Sequence, residues 1–292
     1  MTTAHHGKAF HGGEHYENFP VGSWLVPKAI REPILRLYRF ARTGDDLADE
    51  GDLDRDARVA GLNALRDGLN ARPNTVDPYL HAIGSRLSEA LQRHRVPTHW
   101  ADDLIHAFLQ DVNHAPMASE EEVLRYCQYS AAPVGRLVLG LSGLLDQDGE
   151  PGRLKALSDA ICCGLQLANF AQDMGQDLSR RRTYLPMAWW PAGWSPDLGI
   201  AGLRQTDRQE LPSRMASWAL ALLGQGDQLP RAIRQSDCLG NWRLAMEIAI
   251  TVEGGREICR QVLANPEQVW STSPVLSKFR LAMVVFRAIR LL

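Results

Sequence analysis

Residues 152–179 read GRLKALSDAICCGLQLANFAQDMGQDLS, and this stretch decides the fold class. Leu154, Leu157, Ile161, Leu165, Ala168 and Phe170 recur mostly at three- and four-residue steps, the repeat of an α-helix rather than the alternation of a strand. A second pattern runs through the same segment. Gln166, Asn169, Asp173 and Asp177 follow at steps of three, four and four, so one continuous helix would align them in a single stripe. Their neighbours Leu165, Leu167, Ala168 and Phe170 are apolar, as for a helix inside a protein. Four polar side chains buried in a row are costly unless each finds a partner.

Outward from this helix the chain keeps the same character. Asp77-Pro78 supplies an N-cap before a proline at the first helical position, and Pro33 can start a helix in the same way. Ser119-Glu120-Glu121-Glu122 is a capping box ahead of Val123, Leu124 and Cys127. Breaks fall near 70–75, 113–118, 146–152, 186–202, 224–230 and 265–274, cutting the chain into roughly ten helices with short connections. No linker is rich enough in Gly, Ser or Pro to divide it. The expectation is one all-α domain over residues 1–292, a helical bundle, with 1–14 as a flexible tail. There is no solenoid-length repeat and no glycine-rich phosphate loop.

Composition narrows the partners. A formal charge of −2 over 292 residues gives no positive field for nucleic acid, so none is expected. The N-terminus MTTAHHGKAFHGGEHYE lacks the apolar core of a secretory signal, and no run is long enough to span a bilayer. Cys127, Cys162, Cys163, Cys238 and Cys259 have neither disulfide-framework nor zinc spacing, and read as reduced thiols in a cytoplasm. His5, His6, His11 and His15 are irregularly spaced in the tail and are not expected to hold a metal. The last segment, LAMVVFRAIRLL (281–292), reads as a closing core helix in preference to one lying on a membrane, with peripheral contact at the inner membrane face the alternative.

The second informative stretch is YRFARTGDDLADEG (38–51). On a helix Asp45 and Asp49 stand one turn apart, with Tyr38 and Arg42 on or near that face. An Asp pair at this spacing is usually a solvated surface, and the like charges repel. A divalent cation between them changes the sign, and Mg²⁺ takes one or two carboxylates together with water and phosphate oxygens. Arg42 would grip the same phosphate through a forked contact. A metal–diphosphate complex would also partner the stripe at Gln166, Asn169, Asp173 and Asp177, with Arg180, Arg181, Arg182 and Tyr184 closing over it. Two acidic pairs on separate helices, each beside arginine, meet the need of a diphosphate leaving group for several cations.

At these residues the sequence resembles the squalene/phytoene synthase family, the head-to-head trans-isoprenyl diphosphate synthases, over roughly residues 14–290. The likeness is strongest at YRFARTGDDLADEG (38–51), YCQYSAAPVGRLVL (126–139) and GLQLANFAQDMGQDLSRRRTYLP (164–186). It implies an all-α isoprenoid-synthase fold around a central cavity, with Mg²⁺ bridging both aspartate pairs to diphosphate. Carried over residue by residue, Asp45, Asp49, Asp173 and Asp177 match the family's metal-binding aspartates, with Asn169 beside the second pair. Tyr38, Arg42, Gln166, Asn169, Arg182 and Tyr184 match its substrate-binding residues, and Tyr126 opens its middle motif as a catalytic candidate.

Two departures single out a branch. Where relatives commonly have a serine-rich segment, this chain reads HYENFPVGS (15–23); Asn18 can replace one serine, whereas Pro20 has no hydroxyl. Pro133 stands in the middle motif, where it bends or starts a helix. Both resemble the bacterial hopanoid-pathway hydroxysqualene synthase branch. The implied activity is that of a carbon–oxygen lyase that ionises presqualene diphosphate and ends the reaction with water. The alternatives are a presqualene diphosphate, squalene or phytoene synthase condensing two prenyl diphosphates, and a non-catalytic helical assembly factor. Phe40, Leu137, Leu141, Leu165 and Phe170 could wall the cavity, though core packing is the plainer reading of each. Trp189, Trp190 and Trp194 read either as a packed loop or as a lipid-facing flap.

Overall fold

Helix starts and stops follow the local chemistry of the chain. The computed structural model describes residues 26–49, 52–73, 76–145, 152–236 and 241–292. The 1–14 tail with its histidines, the HYENFPVGS segment with Asn18, and Cys238 lie outside them. Among the described residues there are twelve α-helices and no strand. They are α1 (Lys28–Asp49), α2 (Arg55–Leu69), α3 (Pro78–Arg93), α4 (His99–Val112), α5 (Glu120–Ser130), α6 (Ala132–Leu141), α7 (Arg153–Gln172), α8 (Met174–Ser179), α9 (Gln205–Gln225), α10 (Leu229–Gln235), α11 (Asn241–Ala264) and α12 (Lys278–Ala288). Asp77 caps α3, accepting from the N–H groups of Tyr79 and Leu80 at 3.0 and 2.9 Å, with Pro78 in the first turn. Ser119 caps α5 by accepting from Glu122 N–H, while the Glu122 carboxylate accepts from Ala118 N–H at 2.6 Å, one residue further back than a capping box requires. Pro133 sits in the first turn of α6.

Two expectations are corrected. Pro33 does not start a helix: α1 begins at Lys28 and Pro33 is buried inside its second turn. Residues 152–179 are not one helix either. α7 ends at Gln172, Asp173 takes φ −104° and ψ 13°, and α8 restarts at Met174. α8 packs by a tight approach at its first turn. A Cβ on Gly175 would lie 2.5 Å from the Val269 carbonyl oxygen and 2.6 Å from Trp270 Cα, so α8 is seated against that loop by backbone contact.

α7 is the central element, packing on α6, α9 and α11. α1 to α4 share a core of Phe40, Leu62, Leu65, Leu87, Leu104 and Ile105, closed from α6 by Leu137 and Leu141. Phe40, Leu137 and Leu141 are thus core residues. Trp189 and Trp194 are buried beside Leu167, Phe170 and Met215, and the indole N–H groups of Trp189, Trp190 and Trp194 donate to Glu120, the Leu185 carbonyl and the Gly199 carbonyl. The 186–202 segment is therefore a packed loop, not a flap. Cys127, Cys163 and Cys259 are buried free thiols and Cys162 is half-buried. No described helix is long and apolar enough to cross a membrane.

Candidate active site

The last turns of α1 present Arg42, Asp45, Asp46 and Asp49. Carboxylates at a helix C-terminus face its negative dipole end, and two at i, i+4 repel, so this turn is held by cations. Arg42 supplies one, reaching Asp45 at 3.4 Å and Asp46 at 2.8 Å. Its guanidinium therefore bridges carboxylates of its own helix, whereas the sequence suggested a phosphate contact. Arg182 supplies the other. It donates to Asp49 from the segment after α8, tying together two motifs 133 residues apart.

The second motif lies opposite. Burial pushes the Asp177 carboxyl up to about 7, and the charges of Asp173 and Asp49 push the same way against Arg180 and Arg182. The charge of Asp49 reaching Asp177 shows that the two acidic motifs face a common space. Asp173 is also raised by burial, and Ser273 Oγ offsets this by donating to Asp173 Oδ1 at 2.7 Å. The four-residue step survives the break between α7 and α8: Asp173 N–H donates to the Asn169 carbonyl at 2.9 Å and Asp177 N–H to the Asp173 carbonyl at 2.8 Å. Gln166 and Asn169 stand half-buried on the preceding turns of α7.

Beside Asp49 and Asp177 lies a cluster that the sequence did not reveal as one. Asp111, near the end of α4, accepts the Tyr126 hydroxyl on both oxygens at 2.8 and 2.9 Å and the Tyr184 hydroxyl at 3.3 Å. Tyr184 stacks on Phe170 with ring centroids 4.0 Å apart, and His114 meets its edge. Burial pushes Asp111 up to about 7 despite both tyrosines, and lifts both phenols above their usual range. Asp111, Tyr126 and Tyr184 also line a cavity of about 440 Å³ with His106, His114 and Arg125. Tyr38 and Arg42 face elsewhere, onto a groove of about 580 Å³ that Arg36, Arg39 and Arg86 make basic. The structure thus brings Asp49, Asp173, Asp177, Arg182, Tyr126 and Tyr184 together, while Asp45, with its side chain 54% exposed, looks outward.

Among the described residues no three Asp, Glu, His or Cys groups form a ready-made cage. The donor set nevertheless suits a hard divalent ion. Carboxylates converging from separate helices are ligands that a cation relieves, with water and phosphate oxygens completing its shell.

A sequence model of the squalene/phytoene synthase family matches residues 13–280. The chain belongs to that family. Squalene/phytoene synthases act on prenyl diphosphates, and the two facing carboxylate motifs lie within the matched span. Hydroxysqualene synthases of Rhodopseudomonas palustris and Sinorhizobium fredii are each 35% identical to it over 237 residues, 80% of this chain and 75% of theirs. The crystal structure of squalene synthase HpnC from Alicyclobacillus acidocaldarius superposes with a TM-score of 0.69 at 31% identity, covering 86% of this chain and 90% of that one. The fold is the all-helical one of these synthases.

Proposed function

We propose that the chain is a hydroxysqualene synthase, converting presqualene diphosphate and water into hydroxysqualene and diphosphate. The observation that carries this reading is the Asp49–Arg182 tie facing Asp173 and Asp177, in a chain whose relatives at 35% identity are hydroxysqualene synthases. Asp49, Asp173 and Asp177, with Asn169 beside them, would hold Mg²⁺, which when bound neutralises the charge that the departing diphosphate develops; Asp45, one turn back on α1, would join them only by leaving Arg42 and turning inward. Arg182, already drawn to Asp49, adds a fixed positive charge at the same place. Gln166 and Tyr184 would orient the diphosphate from the α7 side, whereas Tyr38 and Arg42, which face the basic groove, take no part in this arrangement. The C–O bond breaks with both electrons going to diphosphate. Phe170 and Tyr184 present stacked aromatic faces that tolerate the cation left behind. Tyr126, whose hydroxyl hydrogen is committed to Asp111, offers only oxygen lone pairs. It thereby accepts a hydrogen from the quenching water and turns the water oxygen toward the cation. A lone pair of the water oxygen forms the new C–O bond, and as the water O–H breaks its proton goes to the Tyr126 oxygen while the Tyr126 proton moves to the Asp111 carboxylate.

The test is purified protein with Mg²⁺, offered presqualene diphosphate or farnesyl diphosphate without a nicotinamide, with products read by mass spectrometry. A squalene alcohol formed from presqualene diphosphate alone is expected. Presqualene diphosphate formed from farnesyl diphosphate would overturn the reading in favour of a condensing synthase.

A further inference from the structure

The closing helix α12 does only half of what a core helix does. It buries Val284 and Ala288 alone, and it is held to α11 by Arg280 and Arg287, which both bond the buried Glu257. The opposite side is bare. Phe279 is 74% exposed, Phe286 66% and Ile289 55%. At 100° per residue these three share one arc with Ala282, facing away from Val284 and Ala288. Lys278 and Arg290 flank that arc, and the Arg290 guanidinium lies 5.9 Å from the centre of the Phe286 ring.

Charge says what fits this face. Residues 271–292 contain Lys278, Arg280, Arg287 and Arg290 and no acidic residue, a formal +4. The whole chain carries −2, so the other 270 residues carry −6. Because Arg280 and Arg287 are paired with Glu257, a second copy docking through the same face would set Lys278 and Arg290 against their own copies, with no acidic residue of the segment to answer them. A surface of anionic lipid headgroups offers the reverse: counter-charge for the basic rim and an acyl boundary for the phenylalanines, with long basic side chains reaching back to the phosphates.

We infer that the outward face of α12 is an anionic-membrane docking surface. The chain leading into it also touches the acidic site, because Ser273 donates to Asp173 and Gln172 donates to the Pro274 carbonyl at 2.7 Å. Docking through α12 would hold that rim of the site at the bilayer surface, where a polyprenyl chain dissolves.

The experiment is flotation of the full-length protein with phosphatidylcholine vesicles, with or without phosphatidylglycerol, and without substrate, so that the result stands apart from the product assignment. Binding to the phosphatidylglycerol vesicles is expected, weakening as salt is raised. The double variant Phe279→Ser/Phe286→Ser should lower that partition by roughly tenfold or more. Arg290→Glu should lower it on anionic vesicles only, and decides the matter if the double variant loses its helical circular dichroism. Wild-type protein that floats with neither vesicle, or variants that float as well as wild type, overturns the inference. So does a wild-type dimer in light scattering that the phenylalanine variant dissociates, since that gives the face to a second copy.

Discussion

Asp111→Asn isolates the cost of the buried carboxylate that two tyrosines share. Burial lifts this carboxyl from its ordinary 3.8 to about 7. The folded state therefore binds more protons than the unfolded state between those values, and stability falls as pH rises through that window. Its contribution is complete below the unfolded pKa and gone above the folded one. A displacement of about three pH units at 1.36 kcal/mol each sets a ceiling of about 4 kcal/mol, and relaxation around the charge brings about 2 kcal/mol within reach. Asparagine keeps the shape and still accepts a hydroxyl, but it does not ionise. The variant should match wild type near pH 4, gain on it steadily to about pH 7.5 and then run parallel. For a chain of this length that gain is a melting-temperature difference of about 4 °C or more. Thermal unfolding in EDTA at half-unit pH steps measures it, and the subtraction cancels the titration of Asp177. Parallel curves across the whole range would refute the assignment of a displaced Asp111. In the product assay the same variant should lose alcohol formation while still releasing diphosphate.

Three further outcomes concern the aspartates, Arg182 and the Arg136–Asp159 pair. Asp173→Ala or Asp45→Ala should cut Mg²⁺-dependent turnover by roughly 10³-fold while the helical circular dichroism survives, and full activity in either would remove that residue from the site. Arg182→Ala unties Asp49 and should lower kcat by roughly 10²-fold, with Arg182→Lys recovering only part because lysine lacks the planar fork; steady-state kinetics on both variants checks this. Arg136 on α6 donates to both Asp159 oxygens on α7, at 2.7 and 2.8 Å, in a nearly buried pair. Arg136→Met leaves Asp159 only Lys155, at 2.9 Å, and should cost about 1–3 kcal/mol by denaturant unfolding, with the further change Asp159→Leu returning part of it because the harm lies in the under-partnered carboxylate.

The helical class and most boundaries were legible because caps and periodicity are local. Asp77-Pro78, Ser119 with Glu122, and Pro133 act within one turn of themselves. The break at Asp173 was not legible, since the short helix that follows it packs through Gly175 against Val269 and Trp270, over ninety residues away. Asp111 escaped for a similar reason. A lone acid near a helix end normally meets water, and its burial comes from Tyr126 on α5 and Tyr184 beyond α8. Arg182 was singled out from sequence for a phosphate, yet only the fold supplies Asp49 as its partner. For α12 the apolar spacing was legible and the extent of its burial was not: Val284 and Ala288 are buried while Phe279 and Phe286 are exposed, and period alone does not say how many faces a helix covers.

The bond from Ser273 to Asp173 also has a meaning in time. A nascent chain that has emerged from the ribosome only as far as α11 already holds all four aspartates, Arg182 and both tyrosines. It does not yet hold the hydroxyl that supports Asp173, nor the Pro274 carbonyl that receives Gln172. Translation therefore supplies the support of Asp173 only after every signature residue has been made, so a product truncated after α11 would carry all of them and lack the bond that holds the one at the bend.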